Sequence, residues 1–332
     1  MFIDFNHPAH IHLFKNMIRE LSQKGHTFLL SARDRECSFD LLDSYGFDYI
    51  KRKGYRGIKK LPGIAAINYF LIKIAGNFKP DILIGGVGNA YIAHTAVLLG
   101  RPSYIFDDTE YSRLQNLMTF PFAKRIITPS CFTLNLGKKQ IRHKSYHELA
   151  YLHPDRFSPE ESVLKQAGAK PPFAVLRFVD LQASHELMDR GIKDKTGLVQ
   201  ELSRHMQVFI SSETSLPPSL EGYRIRLHPS KLHDLLAHAS LYIGESATMA
   251  SESAVLGIPS ILVSNSTRGY IRDLEGYGLV HHVPDCSKAL DLALKLLSNK
   301  STGELYQEKR QKMLRDKIDL TSWMVDFFSS LK

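Results

Sequence analysis

Three histidines stand close together near the start of the chain, in the stretch FIDFNHPAHIHLFK. His7, His10 and His12 lie where an apolar run gives way to a helix-like pattern. Imidazoles in such a cluster can bind a metal ion or carry out acid–base chemistry near neutral pH. Successive helical residues rotate by about 100°, so His10 and His12 point about 200° apart and cannot share one metal ion. We therefore predict no metal site, and expect His7 or His10 to face a ligand from this turn, with His12 as a bystander.

A second cluster consists of carboxylates, in the segment IFDDTEYSR at the end of a predicted strand. Asp107, Asp108 and Glu110 could raise one another's pKa and so create a catalytic acid or base. They could also bind a divalent metal ion, or Asp108 could cap a helix with Glu110 in its first turn. The sequence leaves these alternatives open.

The stretch LYIGESATMASESAVLGIPSILVS (241–264) combines a strand, a small polar turn and the start of a helix. The first N–H groups of a helix have no intrahelical acceptor, so a helix that begins beside Ser246 and Thr248 is suited to bind an anion. Glu252 follows one to two turns later and could address another part of the same ligand. The competing interpretation is a capped structural helix with an exposed Glu252.

Other polar residues and glycines follow predicted strands. Arg177 could reach a diphosphate with its fork of donors, or could form a salt bridge between domains. Gly86, in GGVGNA, is expected to allow close approach of an acceptor or a sugar to the backbone. His228 is predicted either to contact a ligand or to be a turn histidine, and His233 and His238 are predicted to lie on a helix surface.

Alternation of strands and helices in both halves predicts an α/β fold with two doubly wound, Rossmann-like parallel sheets. A length of 332 residues also favours two domains. We predict an N-terminal domain over 1–155, a C-terminal nucleotide-sugar-binding domain over 165–305, and helices over 306–332 that pack back on the first domain. The proline-rich segment 153–172 is predicted to be a linker. Ligands are expected in a cleft between the domains, at the carboxyl ends of the strands.

Composition limits the partners and the compartment. A net charge of +9 and a pI of about 9.3 favour an anionic partner. The basic residues do not form a nucleic-acid-binding motif, so nucleic acid is not predicted as a partner. Cys37, Cys131 and Cys286 are too widely spaced for a disulfide framework or a metal knuckle. Met1 opens directly into a strand and no apolar run reaches the roughly 18 residues of a membrane span, so a cytoplasmic protein is predicted.

Peripheral contact with a membrane remains a second alternative for one segment. INYFLIKIAGNFKP (67–80) is both apolar and basic, which suits a membrane surface. The same segment is also compatible with a packed helix of the first domain. We expect the packed helix.

The stretch 241–264 resembles the nucleotide-sugar signature of GT-B-fold proteins, including the peptidoglycan-forming N-acetylglucosaminyl transferase and the UDP-N-acetylglucosamine 2-epimerases. Together with NHPAHIHLFKNMIRELSQKGH, FDDTEYS and LRFVDLQASHE, it resembles the family catalogued as domain of unknown function 354 over nearly the whole chain. The resemblance implies that Ser246, Ala247 and Thr248 hold a diphosphate and that Glu252 accepts two ribose hydroxyls. The family pattern has Asp-Ser-Gln where this chain has Glu245-Ser246-Ala247, so Ala247 could contribute only its backbone.

The resemblance implies a GT-B glycosyltransferase that uses a UDP-sugar in surface-glycan synthesis, with a glycan or lipid-linked acceptor. His7 or His10 would then be the general base, and neither a cofactor nor a divalent metal ion would be required. The alternative is a sugar-nucleotide 2-epimerase, in which Asp107, Asp108 and Glu110 move protons and no acceptor is needed. A nucleotide-sugar-binding protein without catalytic activity is the third hypothesis.

Overall fold

A computed structural model describes the chain over residues 1–55, 60–179, 191–212 and 215–331. The chain forms two compact units, which we call unit 1 (Met1–Tyr151 and Ile318–Lys332) and unit 2 (Leu152–Lys317). The segment 153–172, predicted to be a linker, belongs to unit 2. Its short helix over Ser162–Ala167 buries Val163, which explains why this proline-rich stretch is ordered as part of the domain.

Unit 1 is built on a parallel sheet. Within the described residues its strands are β1 (Phe2–Phe5), β2 (Leu29–Arg33), β3 (Ile50–Arg52), β4 (Leu83–Gly85), β5 (Ser103–Phe106), β6 (Arg125–Pro129) and β7 (Gln140–His143). The spatial order is β3-β2-β1-β4-β5-β6-β7. The order reverses between β1 and β4, so the carboxyl ends of these two strands form the switch point at which doubly wound sheets bind ligands.

The first helices of unit 1 connect these strands. They are α1 (Pro8–Gln23), α2 (Ser38–Ser44), α3 (Lys60–Phe78), α4 (Ala90–Leu98) and α5 (Arg113–Thr119). The helix-like pattern after the first strand is confirmed as α1, whose apolar residues Ile11, Phe14, Ile18 and Leu21 are all buried. The helix begins after His7, with Pro8 in its first turn, where the missing N–H of proline costs nothing. This start places His10 close to the end of β1.

A buried ion pair fixes the switch point. Arg52, at the end of β3, donates from Nε to Asp4 Oδ1 at 2.7 Å and from Nη2 to Asp4 Oδ2 at 2.8 Å. Asn89, which caps α4, donates from Nδ2 to the same carboxylate at 3.0 Å. A buried charge is costly without its partner, so the pair holds together the ends of β1 and β3 and the turn before α4.

Unit 2 also contains a parallel sheet. Within the described residues its strands are β8 (Phe173–Phe178), β9 (Gln207–Ser212), β10 (Leu241–Gly244), β11 (Ser260–Val263) and β12 (Val280–Val283), in the order β12-β11-β10-β8-β9. Its helices are α6 (Ser162–Ala167), α7 (Lys195–Ser203), α8 (Leu232–Ala237), α9 (Ala247–Val255), α10 (Gly269–Gly276), α11 (Cys286–Ser298) and α12 (Thr302–Asp316). The segment YRIRL (223–227) alternates apolar and polar residues as a strand does, but it makes only an isolated bridge between Ile210 and Arg224.

The C-terminal helices divide between the units, whereas the sequence predicted that all of 306–332 returns to the first domain. In unit 2, α12 donates from Arg310 Nε to the carbonyl of Val255 at 2.8 Å. The final helix, α13 (Leu320–Ser329), belongs to unit 1. Its Phe328 is buried, with ring centroids 5.5 Å from Tyr104 and 6.3 Å from Phe106. Within the described ranges, no helix is both long enough and apolar enough to cross a bilayer.

Candidate functional site

Four ionisable side chains meet at the carboxyl end of the unit 1 sheet, and we call them the acid–base cluster: His10, Asp107, Asp108 and His147. His10 lies in the first turn of α1, the two aspartates follow β5, and His147 opens a 3₁₀ turn over His147–Ala150. Three of their buried atoms, His10 Nδ1, Asp107 Oδ2 and His147 Nε2, have no hydrogen-bond partner within the described residues. Buried polar atoms are normally paired, so atoms left available in one cluster indicate a site for a ligand.

Asp108 and His147 form an ion pair, with 2.9 Å between Asp108 Oδ2 and His147 Nδ1. Burial alone would lower the pKa of His147, but the charge and the hydrogen bond of Asp108 outweigh it and raise that pKa. The second oxygen of Asp108 accepts from Thr109 Oγ1 at 3.0 Å. The pair therefore places a carboxylate beside an imidazole that holds its proton more readily than a free histidine does. The prediction that Asp108 caps a helix is wrong, since Ser112 stands at the N-cap of α5.

Asp107 is fully buried, and burial raises its pKa to about 8. The backbone N–H of Thr109 donates to Oδ1 at 2.8 Å and opposes this shift, whereas the charges of Asp108 and Glu110 add to it. Asp107 is therefore a neutral carboxylic acid near pH 7. Its proton could be donated to a substrate, as the clustering of carboxylates predicted.

His10 is buried against the glycine turn that follows β4. Burial, and then the positive charges that His7 and His147 can carry, lower the pKa of His10 to about 3, so its ring is neutral near pH 7. A Cβ atom at Gly86 would overlap the His10 ring. Gly86 thus admits the histidine ring, whereas the sequence predicted that it would admit an acceptor or a sugar.

The other predicted residues of unit 1 are structural in part. His7 is the N-cap of α1, and its Nδ1 accepts from the backbone N–H of Ala9 at 3.1 Å. Glu110 is buried and accepts from the backbone N–H of Thr133 at 3.1 Å. His12 is buried apart from the cluster, where its ring stacks on Tyr151. The prediction that the three histidines do not converge agrees with this geometry.

Replacing Gly86 by Ala should destabilise the protein by about 1–3 kcal/mol, because the added methyl group must displace the His10 ring. Gly76→Ala, inside α3, is the matched control, since a Cβ there meets nothing within 4 Å and alanine favours the helix. Urea unfolding of both variants measures the effect. Equal stability of the two variants would contradict the close packing of His10 on Gly86.

The raised pKa of Asp107 predicts a pH-dependent contribution to stability. Between about pH 4 and pH 8 the native protein retains a proton that the unfolded chain has released, so rising pH favours unfolding. The slope is at most about 1.4 kcal/mol per pH unit. Asp107→Asn should therefore gain stability relative to the wild type as pH rises from 5 to 7. Urea unfolding at each pH tests this, with Asp326→Asn on the exposed face of α13 as the control. If the difference in unfolding free energy between Asp107→Asn and the wild type does not change with pH, Asp107 is not buried in its protonated form.

In unit 2, the turn between β10 and α9 presents the start of a helix, as the sequence predicted. Ser246 is the N-cap, and its Oγ accepts from the backbone N–H of Met249 at 3.3 Å. The buried Tyr242 donates from its hydroxyl to the carbonyl of Ser246 at 3.1 Å and so holds the turn. Ala247 and Thr248 are the first two helical residues, whose N–H groups have no acceptor within the helix.

Glu252 is buried in the middle of α9, which contradicts the alternative of an exposed structural glutamate. Its Oε1 lies 2.9 Å from Nε2 of His233 in α8. His233 is itself only 5% exposed, so the prediction that it lies on a helix surface is wrong. The imidazole fixes the orientation of the Glu252 carboxylate within the unit.

The remaining unit 2 candidates have local partners. Arg177 donates from Nη1 to Ser211 Oγ at 2.7 Å. His228 is exposed and caps a 3₁₀ turn, accepting at Nδ1 from the backbone N–H of Ser230 at 3.3 Å. Glu245 was not predicted as a functional residue, but its two oxygens accept from the backbone N–H groups of Val179 and Ile192. The residues 180–190, which carry most of the LRFVDLQASHE motif, lie outside the described residues.

Comparison with known sequences assigns a family. Residues 1–330 match the family described as "Protein of unknown function (DUF354)". The chain belongs to this family. A relative of the DUF354 chain is the uncharacterized protein MJ0665 of Methanocaldococcus jannaschii, which is 25% identical over 279 residues and is matched over 79% of this chain and 80% of its own length.

Solved structures share the fold of this DUF354 protein. A co-structure of S. aureus MnaA with UDP matches 100% of this chain and 97% of its own, at 10% identity and a TM-score of 0.71. The UDP-GlcNAc 2-epimerase of Neisseria meningitidis, bound to UDP-GlcNAc, matches 98% of each chain at 11% identity and a TM-score of 0.66. The spinosyn forosaminyltransferase SpnP matches 99% of each chain at 12% identity and a TM-score of 0.64. The predicted GT-B-like fold of the DUF354 chain is confirmed.

Proposed function

We propose that the protein is a GT-B-type nucleotide-sugar enzyme, with glycosyl transfer from a UDP-sugar to a glycan or lipid-linked acceptor as its reaction. Structures of the same fold that contain UDP or UDP-GlcNAc support the choice of ligand. The observation that carries the proposal is the acid–base cluster at the switch point of unit 1. A buried acid beside a carboxylate–imidazole pair supports catalysis rather than binding alone, because groups with shifted pKa values are concentrated at catalytic sites.

The nucleotide is assigned to unit 2. The N–H groups of Ala247 and Thr248, with the Ser246 turn, suit the charge of a diphosphate at the start of α9. The Glu252 carboxylate would accept the two ribose hydroxyls, with His233 holding it in place. Arg177 remains a candidate for a further contact to the donor because it lies near the carboxyl end of β8, and His228 remains one as the exposed cap of a turn.

The proton of the acceptor hydroxyl is assigned to Asp108. His7 was proposed as the base, but its Nδ1 already accepts from Ala9 N–H, so the neutral ring carries its proton on Nε2. His10 has a pKa of about 3, which makes it a weak base near pH 7. Asp108 is paired with His147, whose pKa it raises, so the two side chains together can take up the proton of the acceptor. We propose that His7 and His10 contact the acceptor rather than deprotonate it.

Sugar-nucleotide 2-epimerisation is the second candidate, and the protonated Asp107 favours it. Epimerisation at a carbon removes a proton from one face and returns a proton to the other, so it needs an acid and a base but no acceptor. Asp107, with a pKa of about 8, can donate a proton near pH 7, while Asp108 can accept one. The two candidate reactions therefore use the same cluster differently.

The reaction can be identified by incubating the protein with UDP-N-acetylglucosamine, first alone and then with candidate acceptors, while NMR follows the donor. A thermal-shift screen against other UDP-sugars would first select the donor. Transfer predicts that UDP is released only when an acceptor is present. Formation of the 2-epimer without acceptor would establish the alternative. A protein that binds none of the nucleotide-sugars would contradict both.

A further inference from the structure

An exposed apolar surface lies on and beside helices α4 and α5 of unit 1. We call it the α4–α5 face and define it by Val97, Leu98, Leu114, Leu117 and Phe122. Leu114 and Leu117 are 70% and 68% exposed, and Leu98 is 64% exposed. Single exposed apolar residues are common, but neighbouring ones on a folded protein mark an interaction surface.

Contacts between the two helices show that α4 and α5 pack side by side. In α4, His94 lies with its ring centroid 4.5 Å from that of Phe122, and its Nε2 is 2.8 Å from the carbonyl of Met118 in α5. Leu114 and Leu117 are three residues apart, so they share one side of α5. A shallow cavity of about 660 Å³ adjoins the face, and Val97 and Phe122 line it together with Arg101, Lys124 and Lys139. Apolar and basic side chains therefore occupy the same surface.

The chain segments that contain α4 and α5 carry basic side chains and no acidic ones. The sequence contains no Asp or Glu over 82–106 or over 111–146. The second of these ranges carries seven basic residues: Arg113, Lys124, Arg125, Lys138, Lys139, Arg142 and Lys144. The acidic residues between the two ranges are Asp107, Asp108 and Glu110, which are engaged in or beside the acid–base cluster. Arg101, Lys124 and Lys139, which line the adjoining cavity, therefore lie beside the apolar Val97 and Phe122 of the α4–α5 face.

We propose that the α4–α5 face binds the surface of an anionic lipid bilayer. Leucine and phenylalanine side chains can enter the boundary between headgroups and acyl chains, while Lys and Arg attract anionic headgroups. A second copy of this chain would bring two positive surfaces together, so the charge disfavours self-association through this face. The segment 67–80, which the sequence offered as a membrane contact, is not chosen, because Ile67, Leu71 and Ala75 of α3 are buried in the core. It does not depend on which reaction the protein catalyses.

Co-sedimentation with vesicles of phosphatidylcholine, with and without phosphatidylglycerol, tests the proposal on the full chain. We expect binding to the anionic vesicles, weak binding to the neutral ones, and a decrease in binding as salt is added. The double variant Leu114→Ser, Leu117→Ser should lower partitioning by about tenfold or more. Lys124→Gln with Lys138→Gln should lower it and also reduce its dependence on salt.

Leu305→Ser is the matched control, since Leu305 is 42% exposed on α12 of unit 2. Circular dichroism and thermal unfolding would check that every variant folds, and sedimentation velocity would follow the oligomeric state. The proposal is overturned if the wild type does not bind anionic vesicles, or if Leu305→Ser weakens vesicle binding as much as the double variant does. It is also overturned if the double variant abolishes a dimer and leaves vesicle binding unchanged, since the occupant would then be a second copy.

Discussion

Asp108→Asn should lower turnover of the nucleotide-sugar by about 10²- to 10⁴-fold and change donor affinity little. The amide keeps the shape of the side chain and removes the charge that accepts the proton. It also removes the charge that raises the pKa of His147, so the imidazole should lose its proton at lower pH than in the wild type. A steady-state assay of UDP release or epimer formation measures turnover, and calorimetry measures donor binding.

His147→Gln distinguishes a catalytic role of His147 from a structural one in the same assay. The amide can still contact Asp108, but it cannot titrate, so the limb of the pH–rate profile that belongs to His147 should disappear. Asp326→Asn is the control for a lost surface carboxylate. Full activity of Asp108→Asn would exclude Asp108 as the base. Loss of activity accompanied by loss of donor binding or of folding would assign it a structural role.

Glu252→Gln should weaken binding of the nucleotide-sugar by about 10²-fold, because the ribose loses a charged acceptor of two hydrogen bonds. The substitution preserves volume in the buried helix α9, so the fold should persist. Calorimetric titration with UDP and with the complete nucleotide-sugar measures the loss. Both ligands should weaken equally, since both contain the ribose.

His233→Gln provides a graded comparison, since an amide could replace the hydrogen bond to Glu252 without the ring. It should weaken binding less than Glu252→Gln does. Glu201→Gln, at a surface ion pair of unit 2, is the control that removes a carboxylate without touching α9. If Glu252→Gln binds UDP as tightly as the wild type, the assignment of the ribose is wrong. The assignment of the acid–base cluster would be unaffected by that result.

The sequence predicted those features that depend on local pattern. Strands such as FIDF and LYIG are short buried runs between turns, and the cap at Ser246 follows from its residue type and position. The alternation of these elements was enough to predict the two parallel sheets. By contrast, β12 reads VHHV, which does not look like a buried strand, and it pairs only because β11 offers it an edge.

The pairings within the candidate site could not be predicted from local pattern. His147 lies 39 residues after Asp108, and His233 lies 19 residues before Glu252. Each contact therefore depends on the tertiary fold that brings the two segments together. Neither histidine stands in a motif that would single it out. The fit of the His10 ring over Gly86 is also a tertiary contact, and the sequence assigned that space to a ligand. Residue type identified the candidates, and only the fold identified their partners.

The position of α13 has a consequence for the order in which the protein folds during synthesis. Thr321 and Phe328 supply contacts to Ala150, Tyr104 and Phe106, all within unit 1. These residues leave the ribosome after the whole of unit 2, although most of unit 1 is made first. Tyr104 and Phe106 of the nascent first unit therefore lack their contacts with α13 until the second unit has been synthesised. Chaperones that recognise exposed apolar surface could bind the first unit during that interval.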